Sequence, residues 1–206
     1  MSWIEVTVLV LAGVGAGAIN TLVGAGTLIT FPTLLALGLP PVVANVSNAL
    51  GLIPGGVSGT WGYRGLLRGQ GDYIKRFAPV SLLGATAGAL LLLALPSAVF
   101  HTAVPVLLLA SVILVLVQPR LQRAVVYRRS VATHRSHGTN TGFVICGVFA
   151  AGIYGGYFGA AQGVILIGLL GVLLIQDLQR TNALKNALSL DRKSTRLNSS
   201  HTQKSR

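Results

Sequence analysis

Long apolar stretches separated by short breaks dominate this chain. They run from about Trp3 to Val23, Thr27 to Leu39, Val42 to Trp61, Phe77 to Leu95, Phe100 to Val117, Thr139 to Phe158 and Gly163 to Ile175, with a further helix starting near Leu178. A helix crosses the hydrocarbon core with roughly 20 apolar residues. Backbone polar groups in lipid must be satisfied within the segment, which selects helices. The runs are too continuously apolar for the alternation of an outer-membrane barrel. The pattern therefore predicts an all-α integral membrane protein, a multi-span helical bundle in which the stretches Thr27–Leu39 and Gly163–Ile175 are short, broken helices.

Prolines sit mostly at segment edges (Pro40, Pro41, Pro96, Pro119), where a missing N–H is tolerated. Pro32, Pro54 and Pro105 are interior and predict kinks. Glycines recur every four residues at Gly13/Gly17, Gly51/Gly55/Gly59, Gly84/Gly88 and Gly155/Gly159/Gly163. Small residues at that spacing let helices approach closely, which is a packing signal rather than a chemical one.

The chain also repeats itself. The stretch beginning at Gly24 aligns with that beginning at Ala161, at an offset of 137 that places Gly26 on Gly163 and Asn45 on Asn182. Each copy runs glycine-rich turn, short apolar stretch, break, then a helix opening with asparagines. Short, glycine-interrupted apolar segments at matching places in two halves point to a binding site of the transporter type.

Charge changes the picture in one respect. The formal net charge is +12, yet only 10% of residues are charged, against about 25% in soluble domains. No Asp, Glu, Lys or Arg lies between Ala12 and Tyr63 or between Phe77 and Gln118. Nine basic residues fall in two clusters, Arg64, Arg68, Lys75, Arg76 and Arg120, Arg123, Arg128, Arg129, Arg135, both flanking apolar spans. That is the signature of cytoplasmic loops, with anionic lipid headgroups as secondary partners, and it argues against a nucleic-acid partner. The basic stretches flank the hairpin 77–117, so they lie on one side. Three crossings before Arg64 then put the N-terminus outside and give the two repeats opposite topology. The N-terminus lacks a basic n-region and reads as a retained helix, not a cleaved signal.

The last sixteen residues, DRKSTRLNSSHTQKSR, are polar and aperiodic. DRKSTRLNSSH resembles the translation of a sequencing-library adapter, so 191–206 is read as a non-native tail and the gene as cut near Leu190. The expected organisation is a first repeat with connecting spans over 1–118, a basic cytoplasmic loop over 119–138, the start of a truncated second repeat over 139–190, and the tail.

Few polar side chains interrupt the apolar segments. Asn20 and Thr21 precede the first glycine turn; Asn45, Ser47 and Asn48 open the third segment; Asn182, Lys185 and Asn186 open the last. At 100° per residue, Asn182, Lys185 and Asn186 share a helical face, as do Asn45 and Asn48. Intramembrane polar groups are costly and suggest function. Amide donors, one ammonium and two half-helix N-termini favour an anion. The candidate anion site therefore comprises Gly24, Gly26, Thr27, Asn45, Asn48, Gly159, Gly163, Asn182, Lys185 and Asn186. The competing reading is that the asparagines cap and glue helices while Lys185 snorkels to the interface.

Other chemistry lacks its partners. Gly56-Val57-Ser58-Gly59 matches an intramembrane serine-protease motif, but His101, His134, His137 and His201 all lie outside the middle of a span. Asp177 and Arg180 suit a local ion pair with capping at a membrane surface. The lone Cys146 excludes an internal disulfide and any cysteine cluster. It reads as a buried lipid- or helix-facing thiol. No metal-ligand cluster, phosphate loop or carboxylate pair is present, so neither enzyme nor cofactor is expected.

The stretch GAGAINTLVGAGTLITFPTLLALGLPPVVANVSNALGLIPG, with its glycine turn, Pro32 and the run Gly38 to Ser47, resembles the sulfite exporter TauE/SafE family, as does GGYFGAAQGVILIGLLGVLLIQDLQRTNALKN with its Asn-Ala-x-Lys. The resemblance covers about residues 10 to 190. It implies a secondary transporter of small anions of the sulfite or organosulfonate type in the bacterial inner membrane, with a small anionic substrate and the lipid bilayer as partners and homo-oligomerisation left open. The alternative is a non-transporting membrane subunit or scaffold. The second turn, Gly159-Ala160-Ala161-Gln162-Gly163, departs from the family's in being less glycine-rich.

The charge pattern makes one topological prediction. Single cysteines placed beside Lys75 and Arg129 should resist a membrane-impermeant thiol reagent applied to intact cells, while one at Ser2 should react. External labelling beside Lys75 or Arg129 would refute the arrangement.

Overall fold

A computed structural model describes residues 3–132, 141–173, 177 and 179–189. Among these the chain is helical without strands: α1 (Trp3–Leu22), α2 (Thr27–Ala36), α3 (Pro41–Gly51), α4 (Ile53–Gly62), α5 (Gly71–Ala94), α6 (Ser97–Ala132), α7 (Thr141–Tyr157), α8 (Gln162–Leu173) and a last helix, α9, over 179–189. The expected tail, with His201, and the segment holding His134, Arg135 and His137 lie outside the described residues.

Two helices, Gly71–Ala94 and Ser97–Ala124, are long and apolar enough to cross a membrane by themselves, and α1, α2, α7 and α8 contain shorter apolar helices. Large apolar side chains such as Leu11, Val14, Leu83, Val106 and Leu116 are exposed. An apolar outer surface is the mark of a protein solvated by lipid, and the chain is an all-α membrane protein. At the end of α4 the guanidinium of Arg64 stacks over exposed Trp61, 5.0 Å from the ring centroid, an aromatic–cation pair suited to the membrane interface. Cys146 is exposed on α7 and not buried as expected; of the two expected surroundings this fits the lipid-facing one.

Several boundaries differ from the sequence reading. The third apolar segment is two helices, with Leu52 joining α3 to α4 and Pro54 in the first turn of α4. There the proline's missing N–H leaves no carbonyl unserved. α5 starts at Gly71, six residues before the apolar run, because Asp72 in its first turn suits the positive end of the helix dipole. α6 does not stop at Pro119 but continues to Ala132. Arg120 and Arg123 thus ride on a helix where a loop was expected. A proline costs a helix one hydrogen bond and a kink, not its continuation.

Two apolar cores hold the bundle. Phe77, Val148, Leu166, Leu170, Leu184 and Leu188 join α5, α7, α8 and α9. Phe31, Leu34, Leu92, Phe100, Val104 and Phe158 join α2, α5, α6 and the turn after α7. Phe158 anchors that turn, with its ring edge-on to Phe31 at 5.3 Å and tilted against Phe100 at 6.2 Å.

The most extensive helix pair is α5 on α7, and glycines make it possible. A Cβ on Gly84 would strike the Phe149 carbonyl oxygen, on Gly152 that of Ser81, on Gly156 that of Ala85 and on Gly88 that of Ile153. Backbone meets backbone along the whole seam. Gly13, Gly51 and Gly62, by contrast, have nothing within 4 Å of such a Cβ. Gly88→Val should therefore destabilise the protein by about 1–3 kcal/mol, the usual cost of overpacking, and Gly62→Ala should not. Thermal unfolding in detergent by size-exclusion recovery checks this. Equal effects of the two substitutions would contradict the packing assigned to the seam.

Candidate functional site

The site begins with how α1 and α7 end. The N–H groups of Val23 and Gly24 both reach the Ile19 carbonyl, at 2.8 and 3.2 Å, and those of Phe158 and Gly159 both reach the Tyr154 carbonyl, at 2.9 and 3.1 Å. Gly24 and Gly159 have φ of +82° and +84°. That left-handed conformation is nearly free for glycine and ends a helix by turning the chain out of it. The hydrogen-bond pattern pairs Gly24 with Gly159, while the downstream alignment pairs Gly26 with Gly163. The second turn therefore carries two more residues than the first. One of its residues, Ala161, has φ +54°, a left-handed geometry that costs a non-glycine residue roughly 1–2 kcal/mol.

The turns touch. A Cβ on Gly24 would overlap Gly163 backbone, and the reverse holds for Gly163. The Gly163 N–H donates to the Gly24 carbonyl at 3.3 Å. The starts of α2 and α8 are thus pressed together at the centre of the molecule. Tyr154 and Ser111 brace the second turn: the Tyr154 hydroxyl donates to the Ala160 carbonyl at 2.8 Å and lies 2.9 Å from Ser111 Oγ.

The last turns of α1 and α7 leave carbonyls without intrahelical partners. Each is served by the other half of the chain. Asn45 Nδ2, on α3, donates to the Tyr157 carbonyl of α7 at 2.9 Å. Lys185 Nζ, on α9, donates to the Thr21 and Asn20 carbonyls of α1 at 3.1 and 3.4 Å, and Asn186 Nδ2 donates to Thr21 at 3.3 Å. An ammonium at a helix C-terminus also meets the negative end of the dipole. Lys185 is only 1% exposed, so the snorkelling alternative does not describe it.

Beside these contacts are two small, adjoining cavities. The first, about 20 Å³, is walled by Asn20, Gly24, Gly163, Lys185 and Asn186. The second, about 30 Å³, is walled by Asn48, Ala49, Leu52, Ala85 and Phe158. Thr27, Gly159, Gln162 and Ser189 line both. Asn48 is held by two hydroxyls: its Nδ2 donates to Thr27 Oγ1 at 3.1 Å, and Thr30 Oγ1 donates to its Oδ1.

Of the residues proposed from sequence, Gly24, Thr27, Asn48, Gly159, Gly163, Lys185 and Asn186 line this pair of cavities. Gly26 instead packs against Ala16 and Asn20. Asn45 and Asn182 are outside the cavity walls. Asn182 Nδ2 donates to the Tyr63 hydroxyl at 3.1 Å, and the Oδ1 atoms of both asparagines are buried with no hydrogen-bond partner among the described residues. Gln162 and Ser189 were not proposed. Gln162 had a visible signal, as the one long polar side chain in the second turn; Ser189 had none. Arg180 donates to the Arg68 carbonyl at 3.0 Å, placing the start of α9 against the first basic loop. A larger groove of about 650 Å³ between α1 and α4 is open and lined mainly by glycine and apolar residues. Ser58 is on it, and no histidine is among its described walls.

The family profile described as Sulfite exporter TauE/SafE matches residues 9–190. A probable membrane transporter protein of Sinorhizobium is 32% identical over 72% of this chain and 54% of its own length. The probable membrane transporter protein YfcA of Escherichia coli K12 is 29% identical over 72% of this chain and 52% of its own. A probable membrane transporter protein of Haemophilus influenzae is 27% identical over 77% and 59%. The chain thus spans about half the length of the curated relatives it matches. No solved structure matches it.

The cross-half capping carries its own prediction. Asn45→Ala strands the Tyr157 carbonyl in an apolar setting, which should cost about 1–3 kcal/mol. Denaturant titration in detergent measures it. An Asn45→Ala protein as stable as the parent would show that the carbonyl finds another donor.

Proposed function

The chain belongs to the sulfite exporter TauE/SafE family, and from that premise we propose that the whole protein is a multi-pass secondary transporter of the bacterial cell membrane. Its substrates are small anions of the sulfite or organosulfonate type. The observation that carries this reading is Lys185, a buried ammonium beside a small cavity with polar walls at the junction of two broken helices. An ammonium, the Asn186 and Asn48 amides and the Thr27 hydroxyl supply donors. The start of α8 adds a positive dipole end, which attracts negative charge. The proposed binding residues are Gly24, Thr27, Asn48, Gly159, Gly163, Lys185 and Asn186; Gly26 packs on Asn20, Asn45 caps Tyr157 and Asn182 holds the Tyr63 hydroxyl. No catalytic group or cofactor is part of the reading.

A second reading has an observation of its own. Lys185 and Asn186 donate to main-chain carbonyls of α1, as expected of helix glue in a scaffold. The two readings part on one measurement. In the complete protein, Lys185→Ala should lower anion uptake at least tenfold, about 1.4 kcal/mol, while the purified protein stays monodisperse. Lys185→Arg should not restore it fully, because a planar fork replaces a compact ammonium. Flux of radiolabelled sulfite into proteoliposomes is the assay. Parental flux by Lys185→Ala would hand the site to the scaffold reading.

A further inference from the structure

We infer that Gln162 is the residue that partitions the substrate chamber and so decides how large an anion it admits, an inference that rests on the transport reading above. Four observations meet at this side chain. It lines both cavities. Its Nε2 donates to the Ala151 carbonyl of α7 at 2.6 Å, which pins it across the junction. A Cβ on Gly155 would land on the Gln162 amide group, so a glycine on α7 provides the notch in which it rests. It also lies in the turn that is two residues longer than its counterpart, next to Ala161 at φ +54°, and the residue aligned with it in the first repeat is Ala25, too short to form an equivalent partition.

Size makes the partition matter. A buried water needs roughly 10–15 Å³ on this kind of measure, so cavities of about 20 and 30 Å³ hold one or two waters each. A sulfite has four heavy atoms and a sulfonate more, so neither compartment takes one alone. The compartments differ in chemistry: Lys185 and Asn186 wall the first, whereas the second, apart from Asn48, is walled by Leu52, Ala85 and Phe158 and is mainly apolar. Of the shared walls, Thr27, Gly159 and Ser189 are short, and only Gln162 has the length to move aside without backbone change. Swinging it out joins an oxyanion-binding end to an apolar end. The reach of the side chain then sets the length of substrate that can lie across both.

The test uses the complete protein with Cys146→Ser and a reporter Ala49→Cys, whose thiol belongs to the second compartment alone. In proteoliposomes, 2-sulfonatoethyl methanethiosulfonate should label the reporter slowly when Gln162 is present. Gln162→Ala should raise that rate at least tenfold. Gly155→Ala, which removes the notch and leaves Gln162 in the sequence, should raise it in the same direction. In sulfite-uptake competition, Gln162→Ala should shift selectivity at least tenfold toward bulkier organosulfonates over sulfite. Labelling that is already fast with Gln162 in place, or unchanged in both variants, overturns the partition. Faster labelling with an unchanged competition profile overturns its role in size selection. Labelling needs no transport, so a parent protein that moves no anion would refute the transport reading while the thiol rates still decide whether Gln162 divides the chamber.

Discussion

The structure depends on how two helix ends are satisfied away from water. α1 and α7 both stop inside an apolar bundle, and each leaves carbonyls in its last turn that lipid cannot serve. The chain solves this across its own halves. Asn45 from the first half caps Tyr157 in the second, and Lys185 with Asn186 from the second half caps Asn20 and Thr21 in the first. Hydrogen bonds to a charged donor contribute roughly 1.5–3 kcal/mol each and neutral ones about half that. Neither half can present a finished helix end without the other. The same contacts draw the turns at Gly24 and Gly163 together until backbone meets backbone, with Thr27, Asn48, Gln162, Lys185 and Asn186 around the adjoining cavities.

That constraint also explains why the site is polar at all. A helix crossing in one piece satisfies its own backbone and needs no side-chain donors. Breaking it at Gly24 or Gly159 creates unpaired groups, and donors must be buried to meet them at a cost that lipid surroundings make high. Thr27, Thr30 and Asn48 meet one another, and Tyr154 with Ser111 meets the Ala160 carbonyl. The polar cluster is first a repair of the broken helices. A repair that ends in a cavity is available for a ligand, which is why helix glue and binding site draw on the same residues here.

Much of this was legible in the sequence, for physical reasons that can be named. Apolar runs marked the helices because burial in lipid demands them. The doubled order of glycine turn, short run, break and asparagine marked the two broken repeats. Lys185 was conspicuous as a charge within an apolar stretch. What sequence could not supply was partnership. Asn45 and Asn182 occupy matching positions, yet one serves a carbonyl and the other the Tyr63 hydroxyl, because the neighbouring chain differs around them. The continuation of α6 past Pro119 was missed because proline is a boundary signal only where nothing else holds the helix. The two-residue excess in the second turn was hidden by an alignment anchored on Gly26 and Gly163. It emerges only from the hydrogen bonds that pair Gly24 with Gly159.

The departures from symmetry are what make the site a site. A perfect repeat would bring two identical half-sites to the centre, with no preference for one end of a ligand over the other. Here the position of Asn48 in the first half is taken by Lys185 in the second, and that of Ala49 by Asn186. One half offers hydroxyls and a neutral amide, the other an ammonium and an amide, so the two halves present different charge to the cavities between them. Where the first half has Ala25, the second has the longer Gln162. Duplication supplies the paired helix ends and the shared centre; divergence at a few positions within it supplies polarity and a dividing wall. Both are needed for the proposed transport chamber, in which the head and the tail of a small anion would meet different walls.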